Sequence, residues 1–313
     1  TWRYEKFSGR IGDSDIAGTL QVDTGGKRPA MKADLVSNLL DFEDLGPMIG
    51  SRPGSVAQAA GQAARSASDA ASDEGSGSAS KRPALRSAQA APSAPARGRV
   101  LPDLPFRSDR WNSVDAEVNL SAKTIRRAKE LPLENLVTHL SLRDSVVKLA
   151  PLNVDVAGGH LNAVISLDGR RDPIRAHAQV RARKILIAKL FPTVELNKTS
   201  LGQVDGEFDL AGDGNSVGRM LASSNGKVGL VVAGGEISRM MMEKVGLHLW
   251  EMLQLTITGD KRVKLRCGVA DFDVKEGTMH ADALIFDTEV TTIVGSGTID
   301  LGQERLDLML NQK

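Results

Sequence analysis

Apolar residues recur at every second position through most of the chain, a period that predicts strands with one apolar and one polar face. The pattern is clearest over residues 265–310, where Leu306, Leu308 and Leu310 alternate with polar neighbours. Comparable segments recur about every ten residues elsewhere, which is typical of antiparallel meanders in sandwiches, barrels or long open sheets. We therefore expect a mainly β protein.

Turn residues divide these segments. Gly277 and Gly302 mark turns, and the pair Gly295 and Gly297 predicts a bend. Residues 111–122 predict one strand, followed by a short connection or helical turn over 124–131. These boundaries give a chain of short strands joined mostly by tight turns.

Two stretches have apolar residues at helical spacing instead. The first covers 216–223, with Asn215 as the expected N-cap and Gly226 near the C-cap position. The second begins after Ser238, its expected N-cap. Its apolar stripe consists of Met242, Val245, Leu249 and Met252. A helix this apolar must lie against something, so we expect it to cover the apolar face of the sheet; a flexible Met-rich surface for lipid is the alternative.

One segment has a different composition from the rest. Residues 51–99 consist mainly of Ala, Ser, Gly, Pro and Arg and contain few large apolar side chains. Such a sequence buries too little surface to offset the entropy of ordering, which predicts a disordered linker, with a polybasic tether as the alternative. The predicted organisation is an N-terminal β segment over 1–50, the linker over 51–99 and a β region over 100–313.

Composition excludes several classes of protein. Lys and Arg total 40 against 39 Asp and Glu, so the net charge is +1 and gives no bias toward nucleic acid. Cys267 is the single cysteine, which permits no intrachain disulfide, and we expect it buried on a strand.

No apolar run reaches the roughly 18 residues of a membrane span. Because neither end resembles a natural terminus, we interpret the chain as a fragment whose membrane anchor could lie upstream.

No motif for catalysis or metal binding emerges. The five histidines do not pair at metal-binding spacing, and there is no GxSxG elbow or phosphate loop. Asp13 and Asp15 lack the glycine and distal glutamate of a calcium loop, so we expect a solvated turn. Asp271 and Asp273 share one face of a predicted strand, which we expect to be its wet side. The sequence thus predicts a non-enzymatic protein without catalytic residues, metal or cofactor.

Two blocks of the sequence carry motifs of a known family. The N-terminal block is FSGRIGDSD over 7–15 with GTL over 18–20, continued at 28–29, 35–37, 39–41 and 45–47. This block resembles a motif of the AsmA family. The second block resembles the AsmA-like C-terminal region at positions 266–267, 271–272, 277, 284, 287–288, 295–299, 301, 304–306 and 308. The resemblance implies a Gram-negative envelope protein of the repeating β-groove class of lipid-transfer proteins, related to TamB. It also implies an N-terminal anchor in the inner membrane and a body that faces the periplasm.

The alternating pattern is compatible with a groove of this kind. A long twisted antiparallel sheet with one apolar face must cover that face or curl around it. If the sheet curls without closing, it leaves an open apolar groove, with one or two short amphipathic helices beside it. The residues that we expect to line the groove are Val114, Val118, Leu120, Leu161, Ile165, Leu167, Ile299, Leu301, Leu306, Leu308 and Leu310.

The functional hypotheses follow from this groove and from the resemblance. The first is a protein that binds or conducts phospholipid or another acyl lipid and supports outer-membrane lipid homeostasis and assembly. The second is an interaction scaffold or regulator, whose sheet edges pair with outer-membrane assembly factors. A carbohydrate-binding β protein would need aromatic platforms, and aromatic residues make up only 4% of the chain.

Overall fold

The computed structural model describes residues 1–41, 44, 101–106, 108–126, 133–190, 202–238 and 262–312. The helical elements among them are a 3-10 turn (Ser108–Arg110), α1 (Ile187–Leu190) and α2 (Val217–Ala222). The strands are β1 (Trp2–Ile11), β2 (Ser14–Asp23), β3 (Ala30–Asp41), β4 (Asp115–Arg126), β5 (Leu133–Arg143), β6 (Val146–Val156), β7 (Gly159–Asp168), β8 (Arg175–Leu186), β9 (Gln203–Asp213), β10 (Asn225–Ala233), β11 (Glu236–Ser238), β12 (Arg262–Lys275), β13 (Thr278–Thr288), β14 (Thr292–Asp300) and β15 (Arg305–Gln312).

All of these strands belong to one sheet whose spatial order follows the sequence. Fourteen strands form the path from β1 to β15, and the short β11 pairs with β12 beside it. In this path β1 and β15 are the two edges and do not pair with each other, so the sheet is open. The fold class expected from the sequence is confirmed: the protein is mainly β, with an open sheet and two short α-helices in its described part.

One pair departs from the antiparallel pattern that we expected throughout. β3 and β4 run parallel, with Ala33 opposite Val118, and all other neighbours along the path are antiparallel. Parallel strands cannot be joined by a tight turn, because the chain must cross back to the end at which the first strand began. Residues 42–114 provide that crossover. They include the stretch 51–99 for which the sequence predicts a disordered linker, and this stretch lies outside the described residues.

The crossover returns along one rim of the sheet, the strap rim, where β3 and β4 begin and β14 turns into β15. We call residues 101–106 the strap. The strap carbonyl of Pro102 accepts a hydrogen bond from the Gly218 amide of α2 at 2.8 Å. Its Leu101 amide donates to a side-chain oxygen of Glu304 at 3.1 Å. The strap thus links α2 to the turn between β14 and β15, and we call the opposite rim the far rim.

The predicted bend at Gly295 and Gly297 is wrong, because both residues lie inside the continuous strand β14. Gly297 has φ 129°, and a Cβ there would come 2.1 Å from the backbone oxygen of Asp307 on β15. The glycine therefore permits close approach of the neighbouring strand rather than a change of direction.

The strand predicted over 111–122 is displaced. Trp111 belongs to a turn after the 3-10 helix, and β4 starts at Asp115 and continues to Arg126, through part of the predicted connection. The Phe106 and Trp111 rings pack with their centroids 6.4 Å apart. Trp111 therefore packs against Phe106 before the strand begins.

The helix predicted over 216–223 is confirmed as α2, but its cap is different. Ser216 is the N-cap and its hydroxyl accepts a hydrogen bond from the Arg219 amide. The Asn215 side chain instead accepts from the Ile174 amide at 3.1 Å and donates to Asp172 at 2.7 Å. Gly226 lies in β10 and not at a helix end.

The second predicted helix lies outside the described residues, together with its stripe of Met242, Val245, Leu249 and Met252. Ser238, its expected N-cap, is the last residue of β11.

Candidate functional site

The registers of the fourteen strands divide the sheet into an apolar face and an outer face. Directly opposed residues of neighbouring strands share a face. Following such pairs from one edge to the other gives an unbroken row, which we call the central row. Its members, from β1 to β15, are Tyr4, Leu20, Ala33, Val118, Leu140, Leu149, Ile165, Ala178, Leu210, Gly226, Val274, Met279, Ile299 and Leu306. No member is charged, and Tyr4 alone has a polar side-chain atom.

The opposite face has the reverse character. A comparable row on this outer face runs through the partners Val164, Gln179, Asp209, Lys227, Asp273, His280, Thr298 and Asp307. Seven of these eight residues are polar. The sheet therefore separates an apolar surface from a charged one with a single layer of backbone.

Bulges keep the apolar residues in phase. Between Leu149 and Leu152 the register of β6 shifts against both neighbouring strands, so residues three apart in sequence lie on the same face. β8 shifts in the same way between Ala182 and Ile185. Without these shifts, the second half of each strand would present its polar residues to the apolar face.

The apolar face is largely open and carries clusters of buried side chains. Leu40, Ala122 and Ile125 are buried and pack with side chains of β4, β5 and β6 on the same face. A second cluster around Val228 and Phe272 likewise spans neighbouring strands. Both clusters join side chains of neighbouring strands on one face of the sheet. Large members of the central row, including Leu140, Leu149, Ile165 and Leu210, remain half-buried.

No described strand packs across the apolar face as a second layer, since the extensive contacts of each strand are with its neighbours in the sheet. α2 packs against β9 at the strap rim, where Met220 is buried. The described part of the protein thus forms a trough that has an apolar floor and a fixed structure along one rim.

The predicted groove residues fall mostly on this face. Val118, Leu120, Leu161, Ile165, Leu167, Ile299, Leu306, Leu308 and Leu310 all lie on it. The last three belong to the edge strand β15 and are 72%, 36% and 42% exposed. Two of the predicted residues lie outside the strands. Val114 precedes β4, and Leu301 lies in the turn between β14 and β15 because the chain leaves the sheet there. Contact of any of these residues with lipid stays a prediction.

The prediction omitted much of the face. Tyr4, Leu140, Val180, Phe208 and Val228 belong to it as fully as the residues that were named. Their segments show the same alternation, so the signal was present. What the sequence did not provide was the register that joins the segments into one surface.

Cross-strand ion pairs cover the outer face. The Arg181 Nε atom is 2.8 Å from Glu207, and the His177 ring is 2.7 Å from Asp209. The hydrogen bond from His177, followed by that from Gln179, lowers the pKa of Asp209. These groups are well exposed, so they keep this face hydrated and add little stability.

The AsmA-like N-terminal motif has a structural role here. The Asp15 carboxylate accepts the Leu39 amide at 2.6 Å and the Asn38 amide at 3.0 Å, and these bonds hold its pKa well below the usual range. The Ser14 hydroxyl, which is buried, donates to Asp44 at 2.7 Å. The motif thus holds the end of β3 in place through hydrogen bonds to the start of β2. The turn that we expected to be solvated is therefore bonded to β3.

A polar cleft lies at the strap rim. Its lining includes Arg28, Arg170, Asp144 and Asn112. Arg28 donates to Asn112 at 2.8 Å and also pairs with Asp144, while Arg170 pairs with Asp168 at 2.6 Å and lowers the pKa of that carboxyl to about 2. Arg28 and Arg170 are therefore each paired with a carboxylate. The pair of Arg28 and Asp144 connects two turns of the strap rim.

The residues that the sequence raised for metal binding or acid-base chemistry have the following arrangement. No group of three or more His, Cys, Asp or Glu side chains in the described ranges could hold a metal ion. Asp271 and Asp273 lie on β12, where Asp273 pairs with Lys275 at 2.5 Å. Cys267 is exposed, contrary to the prediction, because the shift after Leu265 turns it to the outer face. None of the helices described is long and apolar enough to cross a membrane.

The fold and this surface define the class: a mainly β protein built on an open, sequentially ordered sheet with an apolar trough. The model of the AsmA family matches residues 1–284. The AsmA family protein YhjG of Escherichia coli (strain K12) is 35% identical over 308 residues, which cover 98% of this chain and 42% of that relative. No solved structure matches the chain.

The chain belongs to the AsmA family, as the resemblance of its sequence motifs indicated. The family is non-enzymatic and associated with the bacterial cell envelope. The chain spans less than half the length of the relative, 42%.

Proposed function

We propose that the protein binds or conducts phospholipid, with the acyl chains lying along the apolar face, and thereby supports outer-membrane lipid homeostasis and assembly. The central row is the observation that carries this proposal. It crosses all fourteen strands of the path without a charged side chain. A soluble protein rarely exposes so extensive an apolar surface unless that surface binds something.

The exposure of the row suits an acyl chain. Leu140, Leu149 and Ile165 are half-buried, so apolar area remains for a ligand to cover. Each methylene that leaves water contributes about 0.8 kcal/mol. Because this contribution is non-directional, a chain can move along the trough without passing a single tight site.

The size of the side chains on the apolar face changes along the sheet. β8 contributes the small residues Ala178 and Ala182, whereas β5 and β6 contribute leucines such as Leu140. Ala178 and Ala182 are half-buried, so space remains above them for part of a lipid. The lipid head group can remain in water at the open side.

The setting of this activity is also part of the proposal. We place the protein at the inner membrane, held by an N-terminal anchor outside this chain, with the trough in the periplasm. This placement puts the trough between the two membranes whose lipid it would serve. Outer-membrane assembly factors are possible partners in this position; nucleic acid is not expected as one.

Filling the trough tests the proposal without placing a charge in it. Ala178 lies on the apolar face, and Ala211 is exposed on the outer face of the adjacent strand. Native mass spectrometry of the purified chain would measure bound lipid, and a fluorescent phospholipid would measure uptake. We expect Ala178→Trp to reduce both by about tenfold, because the indole occupies the space of several methylenes, and Ala211→Trp to leave both unchanged.

Three results would contradict this function: absence of both bound lipid and uptake in the parent protein, equal loss in the two variants, or equal retention in both. Circular dichroism would confirm that each variant keeps its strand content before the comparison is made.

A second candidate function uses the sheet edges. Every residue of β15 is exposed, and the edge strand β1 carries Trp2 and Tyr4 at 65% and 55% exposure. Exposed edge strands can pair with a strand of another protein. A scaffold of this kind would give photocrosslinks from Met309 to an assembly factor, and Ala178→Trp would not affect them.

A further inference from the structure

One hydroxyl on the apolar face lacks a hydrogen-bond partner. Thr138 of β5 lies opposite Leu120 of β4 and Leu152 of β6. Its side chain is 8% exposed, and its Oγ1 atom is the single buried side-chain polar atom without a partner in the described part of the chain. Buried hydroxyls in proteins are nearly always paired, so this exception calls for an explanation.

Other buried hydroxyls on the same face are satisfied. Ser14 donates to Asp44 at 2.7 Å, Ser37 donates to Asp15 at 3.2 Å, and Thr288 donates to the Thr291 carbonyl at 2.8 Å. These residues lie near the ends of their strands, where polar partners are available. Thr138 lies farther inside the sheet, among leucines.

The position would suit an apolar residue of the same shape. Valine has nearly the same volume as threonine and would leave no donor unpaired in this row. The row through Thr138 continues across β6 to β9 as Leu152, Ala163, Val180 and Phe208. A threonine that serves packing alone therefore has no evident advantage here.

We propose that the Thr138 hydroxyl donates a hydrogen bond to an ester carbonyl of a bound diacyl lipid. The inference rests on the proposed function and adds the part of the lipid that this section of the trough recognises. The hydroxyl offers one donor, and rotation about the Cα–Cβ bond exchanges its position with that of the methyl group. An ester carbonyl is the acceptor that a phospholipid carries next to its acyl chains.

The ligand class follows from this chemistry. A diester phospholipid offers carbonyl oxygens at the boundary between head group and tails. A diether phospholipid of the same chain length and head group lacks those carbonyls. The trough should therefore discriminate between two lipids of nearly equal hydrophobicity.

The test measures both lipids on both proteins. The 313-residue chain and its Thr138→Val variant would be titrated with dioleoyl phosphatidylethanolamine and with the matching diether lipid. We expect the parent protein to bind the diester about threefold to tenfold more tightly, the range of one neutral hydrogen bond. Thr138→Val should remove that preference by weakening binding of the diester alone.

A stability measurement separates binding from structure. We expect the lipid-free Thr138→Val protein to be as stable as the parent or more so, because the variant removes an unpaired buried hydroxyl. Thr298→Val makes the same change on the outer face, and we expect it to leave the lipid preference intact.

The outcomes distinguish this inference from the function on which it rests. If the parent protein binds neither lipid, the proposed function fails. If it binds both and Thr138→Val keeps the parent's ratio of affinities, the trough binds lipid and this role of Thr138 is wrong. A variant that loses stability and binds both lipids equally less well would also overturn the inference, since it would assign Thr138 to structure.

Discussion

The two faces of the sheet are made by the same strands but meet different surroundings. Val164 and Ile165 are adjacent aliphatic residues of β7, and they lie on opposite faces. Val164 is 47% exposed, opposite Gln179, whereas Ile165 lies in the central row between Leu149 and Ala178. Position in the register, more than residue type, thus decides which aliphatic side chain belongs to the trough.

A change of charge should separate the two faces most strongly. We expect Val274→Asp, at a position 1% exposed on the apolar face, to lower the free energy of unfolding by about 3 kcal/mol or more, because it buries an unpaired carboxylate. Val164→Asp should change it by about 0.5 kcal/mol or less. Urea denaturation followed by circular dichroism measures both. Similar losses in the two variants would mean that the faces do not differ in burial as described.

Two glycines of β10 give a subtler comparison. Gly226 has φ 142° on the apolar face, and a Cβ there would come 1.9 Å from the Asp209 carbonyl oxygen; Gly229, on the outer face, has open space at the same position. We expect Gly226→Ala to cost about 1–3 kcal/mol, and Gly229→Ala to be neutral or stabilising by up to about 1 kcal/mol. Thermal unfolding would test the pair. A tolerated Gly226→Ala would contradict the close approach of β9 and β10.

The turn at the far rim should produce a pH-dependent effect. Hydrogen bonds from the Leu39 amide and from Asn38 lower the pKa of Asp15 below the unfolded value of about 3.9. Its ionised form therefore contributes stability above about pH 4, and that contribution is lost as the pH falls further. We expect Asp15→Asn to be less stable than the parent at pH 7, and the difference to narrow progressively as the pH falls below about 4. A difference in urea midpoint that stays constant with pH would contradict this role.

The smallest effect belongs to the exposed ion pairs. Arg181 and Glu207 have side chains 68% and 55% exposed, and a pair of this kind contributes about 0–1 kcal/mol. We expect Arg181→Ala to lower the free energy of unfolding by no more than that, and by less in high salt because of screening. A loss that salt does not reduce would show that Arg181 also stabilises the sheet by packing.

Much of the fold could be predicted because each strand carries its own signal. The alternation at Leu306, Leu308 and Leu310 identified β15 without any knowledge of its neighbours. The bulges were harder to predict from the sequence. A bulge shifts the apolar alternation by one residue, and such a shift looks the same as the end of a strand. Val147 and Leu149 are out of phase with Val154 and Val156 in the alternation, yet all four belong to β6.

The parallel pair and the surface as a whole could not be obtained from periodicity. The alternation of apolar residues along β3 and β4 is the same whether the two strands run parallel or antiparallel. Periodicity therefore carries no information on their relative direction. Leu301 was assigned to the groove because it continues the alternation of Ile299, but the chain turns there. Thr138 escaped notice because a threonine on a strand is ordinary until its burial and missing partner are known.

The most direct measurement of lipid contact uses the comparison between Ile165 and Val164. A photoreactive amino acid would replace each residue in turn, with expression in a bacterial cell and analysis of the crosslinked protein by mass spectrometry. Lipid adducts at position 165 and none above background at 164 are the result that we predict. Equal lipid labelling at the two positions, or no lipid at 165, would contradict the claim that the apolar face binds acyl chains.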